Sequence, residues 1–258
     1  MITWQGRVNA SHLIKYFDIS RKQASTTFKK YIANHPQSII YNENIKGFIA
    51  LDEFIPQHAT KDFSQYHNFV NHSQQPIFSS IAEVIAPTRN PQAHLAQPIL
   101  RAIEDRLAID IGYTSLSTPE YKDRIIEPHS LIFDGLRWHV RAYCRKNFQF
   151  RDFVLSRFNG EVVSEGKATE NRDNDTLWHN TVDIVIEPDQ RLSPIQQQVI
   201  SDDYQMTDNQ LIITVRKALA NYFIKNMRLD HEKQDPIAQQ ITLTRSCKAS
   251  LAPYRYDL

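Results

Sequence analysis

The apolar positions of the first fifty residues recur at the spacing of two short helices and then change to β-prone runs. Residues 9–17, NASHLIKYF, predict a helix that begins after an asparagine cap, and residues 18–36 predict a second helix. Ser20 and Gln23 form a capping-box signature, which fixes the start of that second helix. Two β-prone runs on either side of residues 42–44 then predict a hairpin.

Helix, turn, helix and hairpin in this order predict a winged helix-turn-helix, whose second helix meets the base edges of the DNA major groove. The inward face of that helix is apolar, with Ala24 and Phe28 on it. The outward face and the hairpin carry residue types that hold phosphates and base edges, and the candidate DNA-binding residues are Ser20, Arg21, Lys22, Gln23, Ser25, Thr26, Lys29, Asn44 and Lys46. The alternative is a solvated helix face, which any soluble protein has. A helix ordinarily precedes such a pair, and only residues 1–6 do so here.

The next segment changes in composition before regular apolar spacing returns. Residues 57–91 are rich in Pro, Gln, His and Ser and predict a connector. The histidines His58, His67 and His72 lack the spacing of metal ligands, so we expect them on the surface. From residue 92 the apolar positions recur every four residues, which predicts a helix that packs on the strands after it.

Alternating apolar and polar residues predict strands from residue 107 to residue 158. Pro128 lies inside one of them, which a sheet tolerates only at an edge or a bulge. Asp134-Gly135 is a strong hairpin signal. In the strand that follows, the alternation puts Trp138 on the core face and His139 on the other.

The stretch RIIEPHSLIFDGLRWHVRAYC, followed by FRDFVLSRF, resembles the core of a WYL domain, with Trp138-His139-Val140 at the name-giving Trp-Tyr-Leu. This variant, with Arg-Ala-Tyr after it, is similar to the WYL regulators that accompany bacterial anti-phage systems, the BrxR and CapW type. The stretch WQGRVNASHLIKYFDISRKQAS is similar to their helix-turn-helix. The resemblance implies a winged helix-turn-helix, a WYL domain of the Sm-like small β-barrel type, and a C-terminal extension that dimerises.

The resemblance also implies a ligand site on the polar side chains of the WYL sheet. Carried over position by position, that site comprises Tyr113, Ser115, His129, His139, Arg141 and Arg157. Arginine binds phosphate through two parallel hydrogen bonds and aromatic rings stack on bases, so we expect an anionic ligand such as a nucleotide or an oligonucleotide. The alternative is that the arginines pair with Asp110, Asp134 and Asp152.

The pattern of the C-terminal third predicts a linker followed by another α+β unit. Residues 161–180 are polar and acidic, which predicts a linker. Strand and helix patterns then alternate and predict an α+β unit of the split βαβ kind. The predicted fold class is α+β and multidomain. Its domains are a winged helix-turn-helix (1–56), a connector (57–91), a WYL domain (92–160), a linker (161–180) and a dimerisation domain (181–258).

The composition excludes several other classes of function. The 258 residues carry a net charge of +1, which excludes a uniformly basic nucleic-acid coat. Two cysteines, Cys144 and Cys247, indicate neither a disulfide framework nor a zinc site, and we expect no metal or cofactor. The chain shows no apolar run of membrane-span length and no secretory signal, so we expect a cytoplasmic protein without membrane contact.

Together these features predict a sequence-specific DNA-binding transcriptional regulator. We expect a homodimeric repressor of a phage-defence operon that binds an inverted-repeat operator in double-stranded DNA and is released by a ligand at the WYL domain. The alternative is a metal-independent nuclease or nucleotide-processing enzyme that uses the His and Arg side chains of the WYL domain. The sequence disfavours it, because it lacks a carboxylate pair, a Ser/His/Asp order and a Walker loop.

Overall fold

The computed structural model describes residues 1–56, 62–71, 84, 87, 89–116, 119 and 122–252. The chain divides into two compact units, Met1–Ile85 and Ala86–Leu258. Of the predicted connector, residues 57–61, 72–83, 85, 86 and 88, with His58 and His72, lie outside the described residues. Every helix in the described ranges is too short or too polar to cross a lipid bilayer.

The first unit contains the predicted helix pair and hairpin. Its elements are α1 (Ile2–Gln5), α2 (Ala10–Phe17), α3 (Arg21–Asn34), β1 (Ile39–Asn42), β2 (Gly47–Ala50) and α4 (Phe63–Asn71). The capping box at the start of α3 is confirmed, because the Gln23 N–H donates to Ser20 Oγ and the Ser20 N–H donates to Gln23 Oε1. Phe28 of α3 stacks on Phe48 of β2 with ring centroids 4.4 Å apart, so the hairpin packs directly on this helix.

The second unit begins with a helix and a five-stranded sheet. Its elements are α5 (Ala93–Asp105), β3 (Leu107–Tyr113), β4 (Lys122–Phe133), β5 (Trp138–Cys144), β6 (Gln149–Val154) and β7 (Phe158–Lys167). The strands are antiparallel in the order β6-β5-β4-β3-β7. The sheet is open, with β6 and β7 at its edges, whereas the resemblance implied a small barrel. A register shift follows Pro128, so the proline lies at a bulge as expected.

Helix α5 covers one face of this sheet. Leu95, Ile99 and Ala102 of α5 pack on buried side chains of the strands, among them Val140 and Ala142 of β5. The four-residue spacing of apolar positions in the sequence therefore predicted the correct partner surface. The hairpin signal is confirmed as well: the side chain of Asp134 accepts hydrogen bonds from two backbone N–H groups of the turn between β4 and β5, and Gly135 has a φ of 93°.

The C-terminal part of this unit is a second small sheet with helices. Its elements are α6 (Thr176–His179), β8 (Thr181–Pro188), α7 (Pro194–Asp203), β9 (Leu211–Arg216), α8 (Ala220–Asn226), α9 (Pro236–Gln239), β10 (Ile241–Leu243) and α10 (Arg245–Leu251). The strand order is β10-β8-β9, and both outer strands run antiparallel to β8. Strands β9 and β10 are thus parallel, joined through α8, with β8 between them, which confirms the predicted split βαβ arrangement.

Residues 161–180, predicted to be a linker, have regular structure. Strand β7 extends to Lys167, a 3₁₀ turn covers Arg172–Asn174, and α6 follows it. We call residues 168–179 the bridging segment, because they connect the five-stranded sheet to β8. Asp175 and Trp178 in this segment are buried. The other polar residues of the segment are half-buried or exposed, so its buried part is confined to Asp175 and Trp178.

Candidate functional site

The candidate DNA-binding residues are all exposed, at the start of α3, along α3 and at the tip of the β1–β2 hairpin. The side chains of α3 that point away from Ala24 and Phe28 are exposed, and so are those at the tip of the β1–β2 hairpin. The exposed set comprises Ser20, Arg21, Lys22, Gln23, Ser25, Thr26, Lys29, Asn44 and Lys46. Three of these side chains also make local hydrogen bonds: Ser20 and Gln23 in the capping box, and Thr26 to the Lys22 carbonyl.

The first turn of α3 has an unusual charge distribution. A helix N-terminus carries partial positive charge and is stabilised by acidic side chains. The first turn of α3 contains no acidic residue, and Arg21 and Lys22 occupy its first two positions. This arrangement costs helix stability and adds two positive side chains to the partial positive charge of the helix N-terminus.

The polar face of the five-stranded sheet is buried, contrary to the expectation from alternation. His139 is 1% exposed and Arg141 is 5% exposed, whereas Trp138 is 40% exposed. Trp138 lies at the start of β5 beside Phe133, next to the exposed hairpin turn. His139 and Arg141 lie under residues of the bridging segment and α8. The assignment of Trp138 to the core and His139 to the surface was therefore wrong.

Arg141 is held by two carboxylates. Its Nε and Nη2 atoms donate to Asp175 over 2.7 and 3.1 Å, and its Nη1 atom donates to Asp152 of β6 over 3.1 Å. Burial alone would raise the pKa of Asp175, but hydrogen bonds from His129 and Arg141 outweigh burial and hold this pKa well below its usual range. The pKa of Arg141 is raised in turn, because the two carboxylates outweigh its burial. The pairing with Asp152 agrees with the alternative given above, in which the arginines of the sheet pair with aspartates. The pairing with Asp175 was not predicted.

His129 and His139 continue this network in opposite directions. His129 Nε2 lies 3.2 Å from Asp175 Oδ2, and its Nδ1 lies 3.0 Å from Ser130 Oγ. His139 Nε2 lies 2.8 Å from Asp134 Oδ2 in the hairpin turn, and its Nδ1 lies 3.2 Å from the Tyr222 hydroxyl. Burial lowers the pKa of His139, against the hydrogen bond and charge of Asp134.

Tyr222 of α8 joins the C-terminal part of the second unit to the sheet. Its hydroxyl donates to Asp152 Oδ2 over 2.9 Å, and the same hydroxyl lies within hydrogen-bond distance of His139 Nδ1. Burial and the charge of Asp152 raise the pKa of this hydroxyl, so it stays protonated. The Asn226 side chain donates to the Asp134 carbonyl over 2.6 Å one turn further along α8. A continuous set of hydrogen bonds thus runs from His129 through Asp175, Arg141, Asp152 and Tyr222 to His139.

Glu127 of β4 fixes the other end of the bridging segment. The residue is buried, with 1% of its surface exposed. It accepts hydrogen bonds from the Thr169 hydroxyl and the Glu170 N–H, and from Arg145 Nε at 2.7 Å. Two buried carboxylates therefore hold this segment: Glu127, which comes from the sheet, and Asp175, which comes from the segment itself.

The remaining residues of the predicted ligand site lie elsewhere. Tyr113 is buried in the core under α5, where its ring contacts Phe153 and Phe158 and its hydroxyl accepts the Val154 N–H. Ser115 and Arg157 are half-buried near the end of β3, where the Arg157 carbonyl accepts the Thr114 N–H. The structure thus brings His129, His139 and Arg141 into one network and leaves the other three residues outside it.

A polar cavity of about 430 Å³ opens beside His129. Its walls come from the end of α5, from β4 and from the bridging segment, and include Arg106, Arg172 and His179 together with the carboxylates of Glu104, Glu170 and Asp173. His129 lines this cavity, whereas Arg141 and Asp175 lie behind it and are not among its lining residues. Within the described ranges, no group of three or more His, Cys, Asp and Glu side chains could hold a metal ion.

Asp175 and Tyr222 were missed as network residues for different reasons. Asp175 lies in a stretch whose polarity resembles a linker, and its one local signal is its place as the cap of α6, where it accepts the Trp178 N–H. Tyr222 carries no local signal, because the partners of its hydroxyl, Asp152 and His139, lie 70 and 83 residues away in the chain. Asp175 and Tyr222 both bind residues that are distant in the sequence, so only the tertiary structure identifies these two residues as members of the network.

Family models match three parts of the chain. They are described as the BrxR transcriptional regulator winged helix-turn-helix domain for residues 1–72, the WYL domain for residues 94–162, and the BrxR transcriptional regulator C-terminal dimerization domain for residues 181–254. These matches follow the chain order that the sequence resemblance implied.

Curated relatives match over most of the chain. The DNA-binding transcriptional repressor CapW of Stenotrophomonas maltophilia is 32% identical over 89% of this chain and 80% of its own length. CapW proteins of Pseudomonas aeruginosa and of Escherichia coli strain KTE188 are each 30% identical over 94% of this chain, and over 84% and 85% of their own lengths. The chain therefore belongs to the family of BrxR- and CapW-type WYL transcriptional regulators.

Proposed function

We propose that this protein is a homodimeric repressor of a phage-defence operon, which binds an inverted-repeat operator in double-stranded DNA and is released by an anionic ligand at the WYL domain. The observation that carries the proposal is the exposed basic and polar face of α3, which stands on an apolar inner face in a winged helix-turn-helix. The names of the CapW relatives, DNA-binding transcriptional repressors, support the same function.

In this proposal the N-terminal half of α3 enters the major groove. Arg21, Lys22 and Gln23 supply donors for base edges and phosphates at the N-terminus of the helix, where its free N–H groups add to the attraction. Ser25, Thr26 and Lys29 extend the contact along the groove, and Asn44 and Lys46 on the hairpin reach the adjacent backbone. The capping box keeps Ser20 and Gln23 in fixed positions, so these two side chains meet the DNA already ordered.

The inverted repeat follows from the proposed dimer. A C-terminal dimerisation domain relates two copies by a two-fold axis, and the two recognition helices then read half-sites of opposite direction. Binding two half-sites together raises the overall affinity through effective concentration, without new contacts. A single copy is therefore expected to bind the operator only weakly.

For the ligand, we propose that Asp175 occupies the position of an internal anion. The carboxylate of Asp175 takes the geometry in which arginine binds phosphate, with two nearly parallel hydrogen bonds from Arg141. An anionic nucleotide or oligonucleotide that reaches Arg141 and His129 through the polar cavity would compete with Asp175. Release of Asp175 would free α6, which leads directly into β8 of the dimerisation domain.

Such a ligand regulates the protein only if it binds one arrangement of the dimer more tightly than the other. The network offers a physical basis for that difference, because Tyr222 of α8 and Asp175 of the bridging segment share the same cluster on the sheet. The regulator is favoured over the nuclease alternative because the curated relatives are named transcriptional repressors.

The test is a gel-shift and footprinting experiment with the native upstream DNA at two salt concentrations. A protected inverted repeat, with affinity that falls steeply as salt increases, is the expected result. A scrambled duplex of the same length is the control for non-specific binding. Equal affinity for both duplexes, or no protected repeat, would refute the repressor.

The ligand part of the proposal has its own test. ATP and an oligothymidylate are added to the preformed complex, and if neither anion releases the DNA, the ligand part of the proposal fails.

A further inference from the structure

The dimerisation domain carries an apolar groove on its surface. The exposed large apolar side chains among its described residues are Ile195, Val199, Ile212 and Ile237. Three of them, Ile195 and Val199 of α7 and Ile237 of α9, line one groove of about 160 Å³. They are 80%, 61% and 61% exposed, although isoleucine and valine are among the residues most often buried in proteins.

Helix α7 is apolar on two sides. On the inner side Ile200 packs into the core that Ile184 and Ile186 of β8 form. On the outer side Ile195 and Val199 are four residues apart and therefore adjacent on the helix surface. A helix that is apolar on more than one side is normally covered on both.

The groove floor continues the protein core. Leu192 is 7% exposed and Ile200 belongs to the core cluster, and both line the groove. The other lining residues besides the three exposed side chains are Gln196 and Gln240, so among the described residues no charged side chain lines the groove. An apolar centre without charge is the composition of the buried centre of a protein interface.

We propose that this groove is the surface through which two copies of the chain dimerise. The occupant is a second copy, because residues 181–254 match a family model described as a dimerization domain and three of the four exposed large apolar side chains among its described residues line this groove. In a two-fold interface the same patch faces itself, so Ile195 of one protomer enters the groove of the other and the reverse contact is identical. This inference rests on the proposed dimer and specifies its location.

The experiment measures the oligomeric state of the full-length chain by sedimentation velocity in the absence of DNA. Val199→Glu is expected to give a monomer, with the dimer dissociation constant raised by about 100-fold or more, because each substitution occurs twice in the interface. Ile212→Glu is the matched control: Ile212 is 59% exposed on β9 of the same domain but does not line the groove, and this variant is expected to remain a dimer.

Thermal unfolding and circular dichroism establish that both variants fold. If Val199→Glu does not fold, the double variant Ile195→Gln and Val199→Gln, which adds no charge, replaces it with the same expected monomer. A dimer in the groove variants, or a monomer in the Ile212→Glu control, would overturn the proposed location. The DNA experiment is separate: a groove-dependent dimer that binds no inverted repeat refutes the repressor alone, and an operator-binding protein whose groove variants stay dimeric refutes the groove alone.

Discussion

Arg141 and Asp175 form a buried ion pair with two hydrogen bonds, of 2.7 and 3.1 Å, between the central strand β5 and the bridging segment. Their side chains are 6% and 2% exposed. Burying either charge alone is costly, so each residue depends on the other for its place in the interior. The pair thereby fixes the segment that joins the WYL sheet to the dimerisation domain.

We predict that Asp175→Ala strongly destabilises the second unit. The substitution leaves the Arg141 guanidinium buried with Asp152 as its remaining carboxylate, and it removes the cap of α6 as well. Loss of one partner of a buried pair costs about 3 to 5 kcal/mol of unfolding free energy. Urea unfolding followed by tryptophan fluorescence measures the change, since Trp178 lies three residues away.

Asp173→Ala is the control for this substitution. Asp173 belongs to the same segment and also carries a negative charge, but its side chain is 76% exposed and lies 3.9 Å from His179. An exposed pair of this kind contributes less than about 1 kcal/mol. Equal stability loss in the two variants would show that the Arg141 pair does not fix the segment.

Asp175→Asn gives a prediction about the ligand. Asparagine keeps the shape of the side chain and its capacity to cap α6, but it removes the negative charge that competes with an external anion. If Asp175 is an internal anion, this variant binds ATP or an oligothymidylate at least about tenfold more tightly than the wild type does, a difference of about 1.4 kcal/mol. Isothermal titration calorimetry at fixed ionic strength measures it. Unchanged or weaker binding would contradict the internal-anion proposal.

We predict a smaller effect for Tyr222→Phe. The substitution removes the hydroxyl that donates to Asp152 and lies beside His139, while the ring continues to pack on Ile132 and Trp178. A lost hydrogen bond to a charged group costs about 1.5 to 3 kcal/mol. Tyr143→Phe on the same strand as Arg141 is the control, because the Tyr143 ring is half-buried against Phe150. If both variants unfold at the same urea concentration as the wild type, the Tyr222 hydroxyl does not link α8 to the sheet.

The local structure of this chain was predictable because its signals are local. The capping box at Ser20 joins residues only three positions apart. The Asp134-Gly135 turn is determined by a side chain that bonds its own turn. Apolar spacing likewise located α5 and the strands of the split βαβ unit, since one face of each element is apolar.

The buried polar face was not predictable, because alternation separates two faces of a strand without showing which face is covered. On β5 both faces are covered, one by α5 and the other by the bridging segment and α8, so Val140 and Arg141 are both buried. The carboxylates that make this possible for Arg141 come from Asp152 and from Asp175, which is 34 residues away in the chain. No sequence pattern pairs residues at such a distance.

Stability is expected to fall with pH below about 6.5 because of His139. The groups that face its ring are Asp134 and Arg137 of the hairpin turn, Asp152 of β6 and Tyr222 of α8. Burial holds its pKa below the ordinary value of 6.5, so the unfolded chain takes up a proton before the folded chain does. Proton uptake by the unfolded state lowers the unfolding free energy as pH falls, by up to about 1.4 kcal/mol per pH unit.

The pKa of Asp134 and that of Asp175 are lowered from 3.8, so their contribution is present above that pH and lost only below it. The pH range in which His139 affects stability, below about 6.5, is therefore separate from the range below 3.8 in which the two aspartates do. Unfolding free energies measured between pH 5 and pH 7 are expected to slope less in His139→Gln than in the wild type, while His94→Gln, at an exposed position of α5, leaves the slope unchanged. The same slope in wild type and His139→Gln would show that His139 is not the titrating group.

The DNA-contacting face of α3 gives the last prediction. Lys22→Ala removes one positive charge from the first turn of α3, where a phosphate is expected, and leaves the buried face and the capping box intact. Each lysine–phosphate contact contributes about one unit to the slope of log affinity against log salt concentration. Fluorescence anisotropy with operator DNA over a salt series is therefore expected to show a slope lower by about one unit in Lys22→Ala. Lys146→Ala, which removes the same charge from an exposed position after β5, is the control and keeps the wild-type slope. If the two variants have equal slopes, Lys22 does not contact a phosphate and α3 does not dock by its N-terminal turn.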